Sequence, residues 1–486
     1  MPYTHGVYMQ ENPTSVVAPI TADSAVQVIV GTAPVNLLAD PASAINKPIL
    51  VNTFAEAAAK IGYSDSFDKF TLCQSIDASF RVFNVAPLVL INVLDPDTHK
   101  EAVEASVKTI SNGQVLIAEE GILKFGFTVK DETGSTTYDI TDDYTLEFND
   151  DGYMLLKVVT GGQIATDEET KLTINYDKLD PSLVDKDDII GGYTAATGVY
   201  KGLECVSQVY PRLGLVPGLL LAHGWSHIPE VGIALTAKCE GINGVFKANC
   251  IKDVDCTATG VVEYSGVKAW KDTNSYTDKH DIVCWPMCKI GAKKYYMSAL
   301  MAALIAFTDA NNDSVPYVSP SNKGMRISGT ILADGTEVYL DQVQANVLNG
   351  GGICTALNLN GWRSWGNNTG IYPSSSDIKD RFIPVRRMFD WWGDSFILTY
   401  FQKVDSPLNK RLIEAIVDSE NIRANGYKAR FQIAGAYMEY IAAENPTTDL
   451  LNGKITFKQY LTPYPPAETI MNVLEFDPAA LTAALA

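Results

Sequence analysis

The sequence is short of the residues that most often carry chemistry. Five histidines occur in 486 residues, and two of them, His5 and His99, stand in an N-terminal arm and a linker. There is no GxSxG nucleophile elbow, no Ser–His or Cys–His pairing to nominate, and no GxxxxGK[ST] phosphate loop. The eight cysteines (Cys73, Cys205, Cys239, Cys250, Cys256, Cys284, Cys288 and Cys354) fall in apolar runs without C-x-x-C spacing. They read as buried, reduced thiols. Basic charge is scarce as well: 38 Lys and Arg face 57 Asp and Glu, a net charge of −19. That excludes the cationic surface a nucleic-acid or anionic-lipid partner requires. The longest apolar runs, VAPLVLINVL and MSALMAALIAF, reach about half of the ~20 residues that span a bilayer. MPYTHGVYMQ has neither the basic start nor the apolar centre of a signal peptide. The expectation is a soluble cytoplasmic protein that is not an enzyme and binds no metal or cofactor.

What is present is a globular composition, 46% hydrophobic and 20% charged. A chain of this length builds more than one core. AVQVIVGTAP, PILVNTFAEAAAKIG and PLVLINVLDP alternate strand and helix, with Thr53 and Glu56 as a capping pair and Gly62 past the helix end. A further helix is expected over about 67–81. Between 97 and 190 the texture changes to hairpins, with turns at Glu132–Gly134 and Asn149–Gly152. This stretch holds 21 acids against 8 bases and reads as an acidic β-domain facing solvent. The α/β rhythm resumes near 200, with helices expected at Pro229–Cys239 and Lys294–Thr308. The fold class is therefore a mixed α/β multidomain protein. It has an arm (1–22), a core (23–96 and 191–360), the inserted β-domain (97–190) and a helical and β C-terminal domain (361–486).

Motif-like stretches weigh less than they promise. His223 and His227 in HGWSH have i,i+4 spacing, but Gly224 stands where a metalloprotease needs Glu, and the segment reads as a loop. DANNDS (309–314) imitates a calcium loop without its Gly or its terminal acid, so a polar turn is expected. NGGG (349–352) reads as tight backbone packing. FIPVRRMFDWWGDSF (382–396) gathers Arg386, Arg387, Trp391 and Trp392, residues enriched at protein interfaces. Between Lys379 and Arg430 ten bases face seven acids, a local polarity that suits an acidic partner.

The C-terminal third reads as helical from about 405. Ser406 and Pro407 cap one helix, Asn425-Gly426 stops it, and a second runs to Glu444. Two extended runs close the chain. Ile455, Phe457 and Leu461 alternate with polar residues, and beyond Pro463, Pro465 and Pro466 come Ile470, Val473, Leu474 and Phe476. A strand at a free end still has backbone groups to pair.

Several long phrases, in order, carry a resemblance. They are LGLVPGLLLAHGWS, DSVPYVSPSNKGMRISG, LADGTEV, QANVLNGGGICTALNLNGWRSWGNNT, IPVRRMFDW, SPLNKRLIEAIVDS and ENPTTDLLNGKITFKQYLTP, with the opening arm YTHGVYMQENPTSVVAPI. The chain resembles the contractile phage tail sheath family, in phage tails and tail-like bacteriocins alike. The resemblance covers the whole chain and is weakest over 97–190. It implies stacked six-membered rings around an inner tail tube, with baseplate and tail terminator proteins as further partners. Assembly would take place in the host bacterial cytoplasm, and contraction would start from a metastable extended state. It also implies exchanged strands: an arm carrying Tyr3, Val7 and Val16, and a tail Ile470–Phe476 docking near a receiving strand Ile455–Leu461 of another copy. Lys410 and Arg411 become candidate tube contacts. An α/β hydrolase would need a nucleophile with a positioned base, and a surface adhesin would need an export signal; neither is found.

Overall fold

Apolar runs without polar alternation bury both faces of a strand, which places them at the centre of a parallel sheet. The computed structural model describes residues 20–21, 23–167 and 169–486. Its central sheet is built from β1 (Gln27–Gly31), β2 (Ile49–Val51), β3 (Leu88–Asn92), β4 (Leu219–Leu221), β5 (Asn249–Asp253), β6 (Asp281–Cys284), β7 (Ile353–Asn358) and β8 (Trp362–Trp365). Their order is β8-β7-β6-β5-β4-β1-β3-β2. The six inner strands are parallel, and β2 and β8 close the edges antiparallel. Every residue of β1, β3, β4, β5 and β6 is buried. β1 thus sits between β4 and β3 in mid-sheet, although it lies near the start of the chain.

Helices cover the sheet. Phe54–Ile61 starts where Thr53 Oγ1 accepts from Glu56 N at 3.1 Å, while Glu56 reaches back to Asn52 N at 2.7 Å. It ends at Gly62, φ 82°, where a Cβ would lie 2.3 Å from Pro34 O. The expected helix over 67–81 is split into Leu72–Ile76 and a π-helical turn Asp77–Phe83. Helix α1 (Met297–Ala310) is buried almost all round and lies on β4, β5 and β6.

Residues 100–179 fold into a three-stranded and a four-stranded sheet around buried Ile117, Val129, Leu156 and Ile174. The segment leaves and rejoins the body on paired strands, with Lys100 opposite Leu179. Glu120 lashes it to the body, accepting from Ser64 Oγ at 2.6 Å, Ser66 Oγ at 2.8 Å and Lys69 Nζ at 3.1 Å.

The C-terminal third departs from the sequence expectation. Helix α2 (Ile383–Tyr400) is followed by α3 (Lys410–Ala429), which is capped by Asn409, Oδ1 to Leu412 N at 3.0 Å, and not by Ser406. Helix α3 runs straight through Asn425-Gly426: its buried stripe Ile416, Glu420, Ala424 leads up to that pair, and Tyr427 just beyond it packs edge-on against Trp391 and Trp392. The expected helix to Glu444 is instead a strand, β9 (Gly435–Glu439), paired antiparallel with β10 (Lys458–Thr462).

The basic-aromatic stretch lies on α2 and faces inward, which corrects its reading as an outward protein interface. Arg387 bonds Asp309 bidentately, at 3.1 and 2.5 Å. Arg386 bonds Asp390 and Asp380, Asp390 accepts from Asn249 Nδ2 at 3.2 Å, and Asp394 accepts from Lys247 N at 3.1 Å. All four charged residues of α2 are buried. They dock the C-terminal elements on the sheet through directed polar contacts.

Two groups at this junction have their protonation shifted by burial and by neighbouring charges. Burial opposes charge on His280, but Asp278 at 3.0 Å and Asp390 at 3.7 Å outweigh it and hold the imidazole above its ordinary value. Burial pushes Asp394 up to about 7, Asp390 adds to this, and the Lys247 N–H opposes it. His280 therefore contributes stability that is present below the ordinary histidine range and is lost as pH rises through its folded value. Asp394 keeps its proton in the fold where the unfolded chain has lost it, so its cost grows up to about pH 7. Both effects lower stability on going from pH 6 to pH 8. Asp394→Asn keeps the acceptor for Lys247 N, and should raise the pH 8 melting temperature by about 2–4 °C while changing the pH 6 value less, measured by circular dichroism.

Candidate assembly interface

A two-stranded sheet is marginal alone and leaves two edges of backbone groups to be satisfied. The β9–β10 hairpin is such a sheet. Ile455, Phe457, Gln459 and Leu461 are half-buried, and Thr456, Lys458 and Tyr460 are exposed, so the expected alternation is present although the strand begins only at Lys458. Tyr437 and Tyr460 stack across the strands at 4.5 Å. The outer edge of β9 is closed at one residue by a side chain: Asn421 donates to Met438 O at 3.1 Å and accepts from Met438 N at 2.8 Å. Among the described residues no strand pairs with the outer edge of β10. Beside β9 runs an apolar groove of about 710 Å³, lined by Leu408, Ile413, Val417, Met438, Tyr440 and Leu450.

The C-terminal tail leaves the body. Arg381 holds Glu468 at 2.5 Å; beyond it Ile470, Met471, Val473, Leu474 and Phe476 are 72–89% exposed. The sequence predicts a strand here. The run is extended but pairs with nothing in its own chain among the described residues, and a short helix, Pro478–Leu485, follows. So large an apolar exposure on one segment marks an interaction surface. Of the N-terminal arm, Tyr3, Val7 and Val16 lie outside the described residues. The backbone at Ile20–Thr21 pairs in parallel with Val85–Ala86.

Lys410 and Arg411 are exposed in the first turn of α3, and Lys410 is 3.5 Å from Glu414. Cations at a helix N-terminus oppose its dipole. Their presence there is not explained by the stability of α3.

The motif-like stretches serve packing. His223 is buried with Nε2 2.6 Å from Thr71 O, and His227 stacks on Tyr296. Asp309 of DANNDS is the Arg387 partner rather than part of a free turn. Gly352 of NGGG has φ 74° and lies where a Cβ would be 2.6 Å from Tyr372 O. All eight cysteines are buried and unpaired. Among the described residues, one group could hold a metal ion, Glu240, Asp278 and His280, and its imidazole already bonds Asp278. No described helix is long and apolar enough to cross a membrane.

No protein-family model matches the chain. It is 26% identical over 486 residues to the tail sheath protein of Burkholderia phage BcepMu, covering 96% of this chain and 95% of that protein. It is 27% identical over 312 residues to the tail sheath protein of Escherichia phage P2, covering 63% of this chain and 72% of that one. Among solved structures it superposes on a chain of the anti-feeding prophage baseplate with TM-score 0.58 and 15% identity, covering 98% and 100% of the two chains. It superposes on a chain of the contracted sheath complex of an extracellular contractile injection system, PVC, with TM-score 0.55, 14% identity and 99% coverage of both. The mixed α/β multidomain fold is shared with these sheath structures.

Among the described residues the exposed tail packs on nothing in its own fold. Removing residues 470–486 should leave the melting temperature of the dispersed chain within about 1 °C. A drop of several degrees in a thermal melt would show that the tail is packed.

Proposed function

We propose that this chain, related along nearly its whole length to phage tail sheath proteins, is the structural subunit of a contractile tail sheath. It polymerises as stacked six-membered rings around an inner tube, ends on baseplate and terminator proteins, and shortens from a metastable extended state. Assembly takes place in the cytoplasm of a bacterial host. The observation that carries the strand-exchange part of this reading is the tail: five apolar side chains in seven residues stand 72–89% exposed.

The tail Ile470–Phe476 completes the sheet of Ile455, Phe457 and Leu461 in another copy, and the arm bearing Tyr3, Val7 and Val16 is donated in the same way. Strand addition supplies main-chain hydrogen bonds and alternating side-chain pockets. About six such bonds, at a net ~0.5–1.5 kcal/mol each, hold a tail with roughly 3–9 kcal/mol. That keeps neighbours tethered while ring contacts change. Contraction then draws on the free-energy difference between two packings of the same subunits and requires no nucleotide. Lys410 and Arg411 face the tube, where an acidic surface would offset their misfit with the α3 dipole.

Negative-stain microscopy of the purified protein should show tubes or rings. Chains lacking residues 1–22 or 470–486 should remain folded and form neither; normal tubes from both truncations would sink the strand exchange. Lys410→Glu with Arg411→Glu should reduce co-sedimentation with the tube protein several-fold. Undiminished co-sedimentation would remove those two contacts.

A further inference from the structure

The N-terminal arm enters the body at a buried polar joint. Ser24 Oγ donates to Asp309 Oδ2 at 2.8 Å, and Arg387 donates to Ser24 O at 3.4 Å while bonding Asp309 bidentately. Ser24, Asp309 and Arg387 are 8%, 0% and 3% exposed. Three separate parts of the chain meet here. Ser24 lies three residues before β1, Asp309 is in the last turn of the buried helix α1, and Arg387 is on α2, which leads through α3 to the hairpin.

Stability alone does not call for this arrangement. A buried ion pair is commonly no better than well-packed apolar residues of similar volume. What the pair adds is direction: the guanidinium and the carboxylate both reach the backbone or side chain of one residue at the root of the arm. Without them, a pull on the arm would arrive directly at β1, the strand in the middle of the sheet. Before β1, among the described residues, the chain is also held by the two-residue pairing of Ile20–Thr21 with Val85–Ala86 and by Ala25, which is buried in the core beside α1.

We propose that Arg387, Asp309 and Ser24 form the joint through which tension passes between the arm and the hairpin-bearing helices, bypassing β1. The idea rests on the reading that the arm is shared with a second copy. A subunit pulled by its own arm and by the tail seated on its hairpin would carry the load from Ser24 to α2 in a single step.

The test is single-molecule pulling of the full chain between its N-terminus and a handle at Phe401→Cys. That position is 75% exposed, and the native cysteines are all buried, so labelling is selective. The wild-type chain should hold until the body unfolds. Ser24→Ala, and the apolar replacement Arg387→Met with Asp309→Leu, should show an earlier event at less than half that force, releasing only the residues up to β1. Arg381→Ala, which removes the exposed-side ion pair with Glu468, should leave the first event unchanged. Unchanged first events in both joint variants, or an equal loss in Arg381→Ala, overturn the proposal. The two readings fail separately. Normal tubes from the arm-less chain sink the sharing of the arm, whereas unaltered forces in the joint variants sink the joint alone.

Discussion

The structure depends on charges buried along one helix. Arg386, Arg387, Asp390 and Asp394 of α2 are all buried: Arg387 bonds Asp309, Asp390 and Asp394 accept from Asn249 and Lys247, and Arg386 fixes Asp390 and Asp380. Removing charges from water is costly unless geometry and hydrogen bonding are good, so these contacts work only in one orientation of α2 against the sheet. An apolar face could slide by a residue or rotate; a bidentate pair at 3.1 and 2.5 Å does neither. The hairpin, the groove and the tail inherit their placement from that fixed helix.

The division of labour follows from this. The parallel sheet, buried on both faces, and α1 beneath it form a body with no free edge in its interior. The parts left incomplete lie toward the C-terminal end of the chain: a two-stranded hairpin, an apolar groove and a tail that nothing covers among the described residues. A sheath subunit of the kind proposed above needs a body that does not yield and margins that bind, and the two are kept apart here.

Local signals were legible in the sequence. The Thr53–Glu56 cap, Gly62 at the helix end, the apolar strands around Val28 and Leu90 and the alternation at 455–461 all follow from interactions within a few residues. What stayed hidden was non-local. Nothing near Val28 announces that Leu220 will lie beside it, because the pairing of distant parallel strands leaves no short-range mark. Residues 435–439, GAYME, carry weak strand propensity and were drowned by the helical pattern on either side. Arg386 and Asp390 at i,i+4 look alike on an exposed and on a buried helix, and Asp309 looked like a turn residue until its partner from 78 positions away was in place. The tail could be read as extended, but among the described residues it pairs with no strand of its own chain.

The segment from Lys100 to Leu179 begins and ends on facing residues of one ladder. Two chain ends held a strand spacing apart, ~4.8 Å, are a socket. Any domain whose termini lie that close can be spliced into the body without moving the sheet beneath it. Variation at this address is cheap for evolution, and the same address is open to a designed passenger.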